Sequence, residues 1–350
     1  MASYKKLIVA EVKRETKDAV SILFNVPDEL KSHYNFVAGQ YINVRLKLDD
    51  KEVRRAYSIY SPPASGELRI AVKAIENGSF SQFANQKLKT GDVLEVGKPE
   101  GKFIFEPETD RQNNYVAFVA GSGITPVLSI VKSVLLYEPK SSFVLVYGNK
   151  SPQDTIFFQE LHDLQLKYLS RFYVHFVYSQ SSMESVLKGR IGRETVNYVL
   201  SNKYSQVNFS KFYLCGPEEM IDIICTVLKE KNVSESAIKY ELFTSSVQEK
   251  TIEEFYKGHS KISIKVDDEE TSFEMSQNQS ILDAVLKQGI DAPYSCQGGI
   301  CCSCVARVTH GTAQMIKNGV LSENEIAEGL ILTCQAYPTS EEIRVDYDDV

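Results

Sequence analysis

No stretch of this 350-residue chain approaches the ~18–20 uninterrupted apolar residues needed to span a bilayer, and the opening MASYKKLIVAEVKRE lacks the profile of a signal peptide. These absences lead us to expect a cytoplasmic protein without membrane insertion, in a compartment where thiols stay reduced. The seven cysteines then need a role other than disulfides. A cationic excess is also missing: 39 Lys and Arg face 46 Asp and Glu, a net charge of −7, so no nucleic-acid partner is expected. The five histidines, His33, His162, His175, His259 and His310, form no metal-ligand spacing. No internal repeat or low-complexity tract is present. With 43% apolar residues and this length, two or three domains can each bury a core.

What is present is unevenly placed. Cys296, Cys301, Cys302, Cys304 and Cys334 lie in the last quarter. From His259 onward, 6 Lys and Arg stand against 15 Asp and Glu, a balance of −9, whereas residues 1–258 hold 33 against 31. Charge and sulfur mark one separable acidic module.

The rest divides by pattern. Residues 1–108 carry short alternating runs (KLIVAEV, AVSILFNV, YINVRLKL, LRIAVKA, VLEVG) broken by turn residues, which predicts an antiparallel β-barrel. From YVAFVAG, solid apolar runs (FVLVYG, FYVHFVYS, FYLCGP, IKYELF) alternate with helical stretches over 109–245. That predicts an α/β domain with a covered parallel sheet. Residues 246–259 read as a linker. From Ser260, KISIKV, a turn at Asp267–Asp268, the helical SILDAVLKQGI and the cysteine cluster make up a fourth segment, 260–350.

Cys296-x4-Cys301-x2-Cys304 with Cys334 29 residues beyond matches the plant-type [2Fe–2S] spacing. Three thiolates on one tight loop can hold one side of a cluster, and the fourth closes it from a distant segment. Gly298 and Gly299 let the backbone fold around the sulfides and aim N–H groups at them. A zinc site or a redox disulfide is the alternative, but only Cys301/Cys304 has the C-x2-C form that zinc knuckles use in pairs. Cys302 is read as a non-ligand thiol.

Arg55–Ala56–Tyr57–Ser58 follows a strand, and Gly78–Ser79–Phe80–Ser81 opens a helix. An arginine can clamp a pyrophosphate, a tyrosine can stack on a flat ring, and a helix start can offer amides to a phosphate. Together with Phe36–Val37–Ala38–Gly39–Gln40–Tyr41, these motifs resemble the ferredoxin–NADP reductase superfamily, and APYSCQGGICCSC with LILTCQAYP resembles plant-type ferredoxins. The resemblance implies a bound flavin, FAD ahead of FMN. Arg55 and Ser81 would touch its phosphates, Tyr57 its ring and Ser58 the neighbourhood of N5. Val72, Lys73, Gly78, Ser79 and Phe80 complete the set.

Gly121–Ser122–Gly123–Ile124–Thr125–Pro126 sits between a buried strand and a helix, as a dinucleotide turn must. It ends in proline where the ordinary fingerprint has glycine, a variant similar to that of the superfamily. Cys215–Gly216–Pro217 resembles the second nicotinamide signature and would set Cys215 near C4; taken alone, Cys215 reads as a core thiol. Glu241–Leu242–Phe243 resembles the domain's closing motif, with Phe243 against the flavin. Lys150, following Gly148–Asn149 without an adjacent carboxylate, favours NADPH over NADH. Against that, Tyr178–Ser179–Gln180 lacks the arginine of NADPH-specific relatives.

The expectation is therefore a multidomain protein: a flavin β-barrel (1–108), a nicotinamide α/β domain (109–245), a linker and an α+β β-grasp ferredoxin domain (260–350). The order resembles reductase components of multicomponent oxygenases, the phenylacetyl-CoA epoxidase and 3-ketosteroid hydroxylase types among them. It implies an electron relay from NAD(P)H through FAD and [2Fe–2S] to an oxygenase or another redox acceptor protein. A general reductase for desaturases or hydroxylases, or a redox sensor, is the other reading.

Overall fold

A computed structural model describes residues 4–48, 51–76, 78–180, 187–244 and 258–350. The chain divides into two compact units, the larger comprising Tyr4–Val53 and Tyr57–Phe243, the smaller mainly Thr244–Val350. Flavin-type and nicotinamide-type segments thus share one unit.

Its first sheet is antiparallel, built from β1 (Lys5–Thr16), β2 (Ala19–Asn25), β3 (Tyr41–Leu48), β4 (Lys51–Ser58), β5 (Leu68–Lys73) and β6 (Val93–Val96). The order is β4-β3-β6-β1-β2-β5, and a bridge between Ile59 and Ile70 joins the two ends into a barrel. Leu7, Val9, Ile22, Ile42, Val44, Ile70 and Val72 alternate inward to fill it. Helix α1 (Ser79–Gln86) lays Phe80 and Ala84 on this core.

The second sheet contains β7 (Asn114–Ala120), β8 (Ser142–Asn149), β9 (Phe172–Tyr178), β10 (Leu187–Lys188), β11 (Lys211–Pro217) and β12 (Ile238–Thr244). Its order is β10-β9-β8-β7-β11-β12, with the β10-β9-β8-β7-β11 pairings parallel. Helices α2 (Ile124–Tyr137), α3 (Phe158–Lys167), α4 (Arg193–Asn197) and α5 (Glu218–Glu230) accompany it. The solid apolar runs arise because these strands are buried on both faces, as with fully buried Val116, Phe118, Val144 and Val146. Because β7 lies between β8 and β11, the strand order reverses there while the strands stay parallel, and a crevice opens beyond their carboxyl ends. Barrel and sheet are tied by Ser129 Oγ donating to the Ser61 carbonyl at 2.7 Å and by Lys239 Nζ donating to the Ile104 carbonyl at 2.9 Å.

The smaller unit holds β13 (His259–Val266), β14 (Glu269–Ser276), β15 (Val305–His310), β16 (Ala313–Met315), β17 (Leu330–Leu332), β18 (Ala336–Pro338) and β19 (Glu342–Asp346). Helices α6 (Ile281–Lys287) and α7 (Glu323–Ala327) complete it. The mixed sheet runs β14-β13-β19-β15-β17 around Ile262, Leu282, Val285, Ala306 and Ile343. The turn expected at Asp267–Asp268 forms with both residues left-handed (φ 53° and 61°), as a tight two-residue hairpin requires. Helix α6 starts where Ser280 Oγ accepts the Asp283 N–H. Strand β13 begins at His259, the last residue assigned to the linker; residues 246–257 lie outside the described residues. Among the described residues, no helix is long and apolar enough to cross a membrane.

Candidate functional site

Strand β4 carries Arg55, Tyr57 and Ser58. Arg55 is exposed, its guanidinium donating to the Arg54 carbonyl at 2.7 Å. The Tyr57 ring is half-buried, 5.4 Å from that of Phe80 on α1. Helix α1 begins at Gly78 without a side-chain cap, which leaves its first amides without a capping side chain among the described residues. A Cβ at Gly78 would stand 2.4 Å from Ser81 Oγ. Ser81 Oγ accepts the Ile75 N–H at 3.1 Å and donates to the Gly78 carbonyl at 3.4 Å, bracing the turn that opens the helix. An uncapped helix start beside a tyrosine face fits a flavin phosphate and ring. Val72 differs from expectation: its side chain belongs to the barrel core, and its carbonyl accepts from Asn85.

Three polar groups from distant segments meet behind this face. Ser58 is buried, its Oγ 3.3 Å from Glu241 Oε2 on β12. Burial pushes the Glu241 carboxyl up to about 8, with the Ser58 hydrogen bond partly offsetting it. Cys215, at the end of β11, is fully buried, and burial followed by the nearby Glu241 charge holds its thiol well above the usual range. The β7–α2 turn approaches from the other side. A Cβ at Gly123 would lie 2.5 Å from the Cys215 carbonyl oxygen, which is why glycine alone fits there. Glu241 as a site member escaped the sequence reading, which took the motif only as a domain ending. Phe243, two residues on, is half-buried against the shared core.

A cavity of about 490 Å³ opens at the strand ends, lined by Lys73, Gly121, Asn149, Lys150, Arg190 and Pro217 among others. Among the described residues its one lining carboxylate is Glu219. Asp154, the first acid after Lys150, is held by Ser151 Oγ at 2.6 Å and Lys17 at 3.5 Å and does not line it. Tyr178–Ser179–Gln180 has no arginine, but Arg190 lines the same cavity. The Gly189 N–H donates to the Tyr178 carbonyl at 2.9 Å, folding Arg190 back onto the end of β9. Asn149 Nδ2 is buried without a hydrogen-bond partner, a donor left for a ligand. Thr125 is buried, and its hydroxyl donates to the Ser122 carbonyl at 3.1 Å. Pro126 stands in the first turn of α2, where a missing N–H costs nothing. A second cavity, about 510 Å³, has its charges paired, Lys132 with Glu160 at 2.5 Å and Arg69 with Glu67 at 2.8 Å. It contains no residue of the predicted sites.

In the smaller unit, Cys301, Cys304 and Cys334 are buried and Cys296 is half-buried. The thiols meet in three pairs, Cys296 with Cys301, Cys296 with Cys334 and Cys304 with Cys334, and these contacts hold Cys296 and Cys304 down. Cys301 and Cys334 are correspondingly pushed up. Among the described residues no three His, Cys, Asp or Glu side chains converge on a single ion. Four thiols in mutual contact, three of them on one tight loop, fit the ligand set of a [2Fe–2S] cluster. The Gly298 N–H donates to Cys296 Sγ at 3.4 Å, and Thr333 Oγ1 to the Cys304 carbonyl at 3.0 Å. Cys302 is half-buried and outside the pairs.

A barrel with an uncapped flavin-phosphate helix, a nucleotide crevice and a four-thiol loop define an NAD(P)H-dependent flavin and iron–sulfur oxidoreductase. Family models agree segment by segment: an oxidoreductase FAD-binding domain over residues 6–105, an oxidoreductase NAD-binding domain over 118–226 and a 2Fe-2S iron-sulfur cluster binding domain over 264–339. The chain belongs to the family of three-module reductase components that includes one of the polypeptides of the 1,2-phenylacetyl-CoA epoxidase from Escherichia coli (strain K12). It is 38% identical to that polypeptide over 99% of both chains. It is 32% identical to the ferredoxin reductase component of 3-ketosteroid-9-alpha-monooxygenase from Rhodococcus rhodochrous, over 97% of this chain and 96% of the relative. The fold matches phthalate dioxygenase reductase with a TM-score of 0.62, at 23% identity and 98% coverage of each chain.

Proposed function

We propose that the chain is the cytoplasmic reductase of a multicomponent oxygenase, first a diiron epoxidase acting on phenylacetyl-CoA, and that NADPH is its reductant. Full-length similarity to the epoxidase polypeptide supports the acceptor. The cavity's Lys150 and Arg190, with Glu219 the one carboxylate among its described lining residues, support the phosphorylated cofactor. When bound, the flavin takes two electrons as hydride and the cluster carries them singly. The chain's own residues supply alignment. Gly123 and Cys215 bring the two nicotinamide loops together, and Ser58 presents its hydroxyl at the reacting face, so proximity rather than acid–base chemistry lowers the barrier. We further propose that residues 246–259 link the ferredoxin module to the rest. Purified chain reconstituted with the other epoxidase components should support NADPH-dependent oxygenation. Failure there, with transfer to a different oxygenase, would replace the acceptor but not the relay.

Glu241 gives a pH signature. Below about 8 its carboxyl is neutral, and above that the carboxylate sets a negative charge beside the atoms receiving hydride. Flavin reduction by NADPH in stopped flow should therefore slow as pH rises through about 8. Glu241→Gln, neutral throughout, should flatten that limb; an unaltered limb would assign the titration elsewhere.

The acidity of the ferredoxin module steers it to a basic acceptor surface, an effect on association rate. Electron delivery to the oxygenase should fall steadily with added salt as the ~10 Å screening length at 0.1 M shortens. A flat response removes the steering argument.

A further inference from the structure

Gln335 follows the fourth cluster cysteine, and its side chain is only 8% exposed. Its Nε2 donates twice, to the Gln297 carbonyl at 3.0 Å and to the Cys334 carbonyl at 3.1 Å. One buried amide thus ties the three-cysteine loop to the distant segment that closes it. The Gln297 end is unusual: Gln297 is left-handed (φ 55°), a conformation that side chains other than glycine rarely adopt. The next residue but one, Gly299, packs against Gln335, and a Cβ there would lie 2.9 Å from Gln335 Cγ. The loop is held from a second direction by the Gly319 N–H on the Gly299 carbonyl at 2.9 Å.

The Gln297 carbonyl and the Gly298 N–H belong to one planar peptide, so they point in opposite directions. On one side the carbonyl accepts from Gln335. On the other, the Gly298 N–H donates to Cys296 Sγ at 3.4 Å. We propose that Gln335 is a positioning residue for the iron–sulfur cluster, fixing and polarising the 297–298 peptide so that its N–H bonds the Cys296 thiolate. Successive hydrogen bonds in a buried chain strengthen one another, and a bond to an ionised sulfur is stronger than a neutral one. Such a donor stabilises the more negative, reduced state and so raises the reduction potential. The inference rests on the cluster reading of the four thiols.

The test uses the full-length chain carrying flavin and cluster. Gln335→Met keeps the side-chain bulk and removes both donors, and Gln335→Glu keeps the shape with acceptors only. In potentiometric titrations followed by electron paramagnetic resonance, both should disfavour cluster reduction about tenfold, a fall of about 59 mV for one electron. Both should also lose iron to a chelator several-fold faster. Gln297→Gly retains the accepting carbonyl and relieves the left-handed strain, so its potential should stay at the native value. Variants of Gln335 with a native potential and native chelator resistance, altered only in melting temperature, would overturn the proposal. If Gln335→Met fails to hold a cluster, the double variant with Gln297→Gly decides. Recovered cluster content supports the clamp, and no recovery overturns it. Should the wild-type chain bind zinc and no iron–sulfide, the cluster reading fails instead, a result separate from any effect of Gln335.

Discussion

Cys301→Ala should abolish electron delivery to any external acceptor while NADPH still bleaches the flavin. Cys301 is 5% exposed and its thiol meets that of Cys296, so its loss removes one of the four thiolates proposed to hold the cluster. Outer-shell partners of metal sites are worth roughly 10–100-fold, and a missing ligand should cost more, with the visible cluster bands gone. Alanine is preferred to serine here because a serine oxygen can still bind iron. Two measurements check the order of the relay: steady-state reduction of the oxygenase, and single-turnover flavin reduction. Should both collapse together in a folded, flavin-bound variant, electrons would not pass from flavin to cluster in sequence. Should neither change, the cluster would lie off the path.

Charge removal at the nucleotide cavity should give the other large effect. Lys150 and Arg190 line it, and neither forms an ion pair among the described residues. A hydrogen bond to a charged group contributes about 1.5–3 kcal/mol, so each side chain on a 2′-phosphate accounts for roughly 10–100-fold in affinity. Lys150→Ala/Arg190→Ala should therefore lower kcat/KM for NADPH by two orders of magnitude or more, chiefly through KM. The value for NADH should move little, because that cofactor lacks the phosphate. Equal losses with both would mean that these residues hold the shared pyrophosphate. A native preference for NADH of tenfold or more would reverse the assignment outright.

The two sites were legible to different degrees, and the reason is distance along the chain. The cysteine spacing, the Arg55–Ser58 segment and the Gly121–Pro126 turn are each set within a few residues, so sequence carries them directly. Arg190 depends on Gly189 pairing with Tyr178, a contact that no local pattern encodes. Glu241 becomes chemical only when β12 brings it to Ser58, 183 positions away. Gln335 looks like one more residue of a short strand region until its amide is seen on Gln297. The strand patterning likewise announced a barrel, whereas its closure by Ile59 and Ile70 needed the folded chain. The burial of Thr125 and Val72 is likewise absent from their motifs. A motif names positions near a cofactor, but burial decides which of them turn inward to the core.

The placement of β7 between β8 and β11 carries an evolutionary consequence. The residues assigned to nucleotide choice sit at the tips of β8 and β10, whereas Ser58, Cys215 and Glu241 come from β4, β11 and β12. Selection can therefore retune which reductant pool feeds the enzyme by altering exposed tip residues, leaving the buried reaction geometry intact. The same separation gives engineers a route to an NADH-driven form: introduce a carboxylate near Lys150, neutralise Arg190, and leave the core alone.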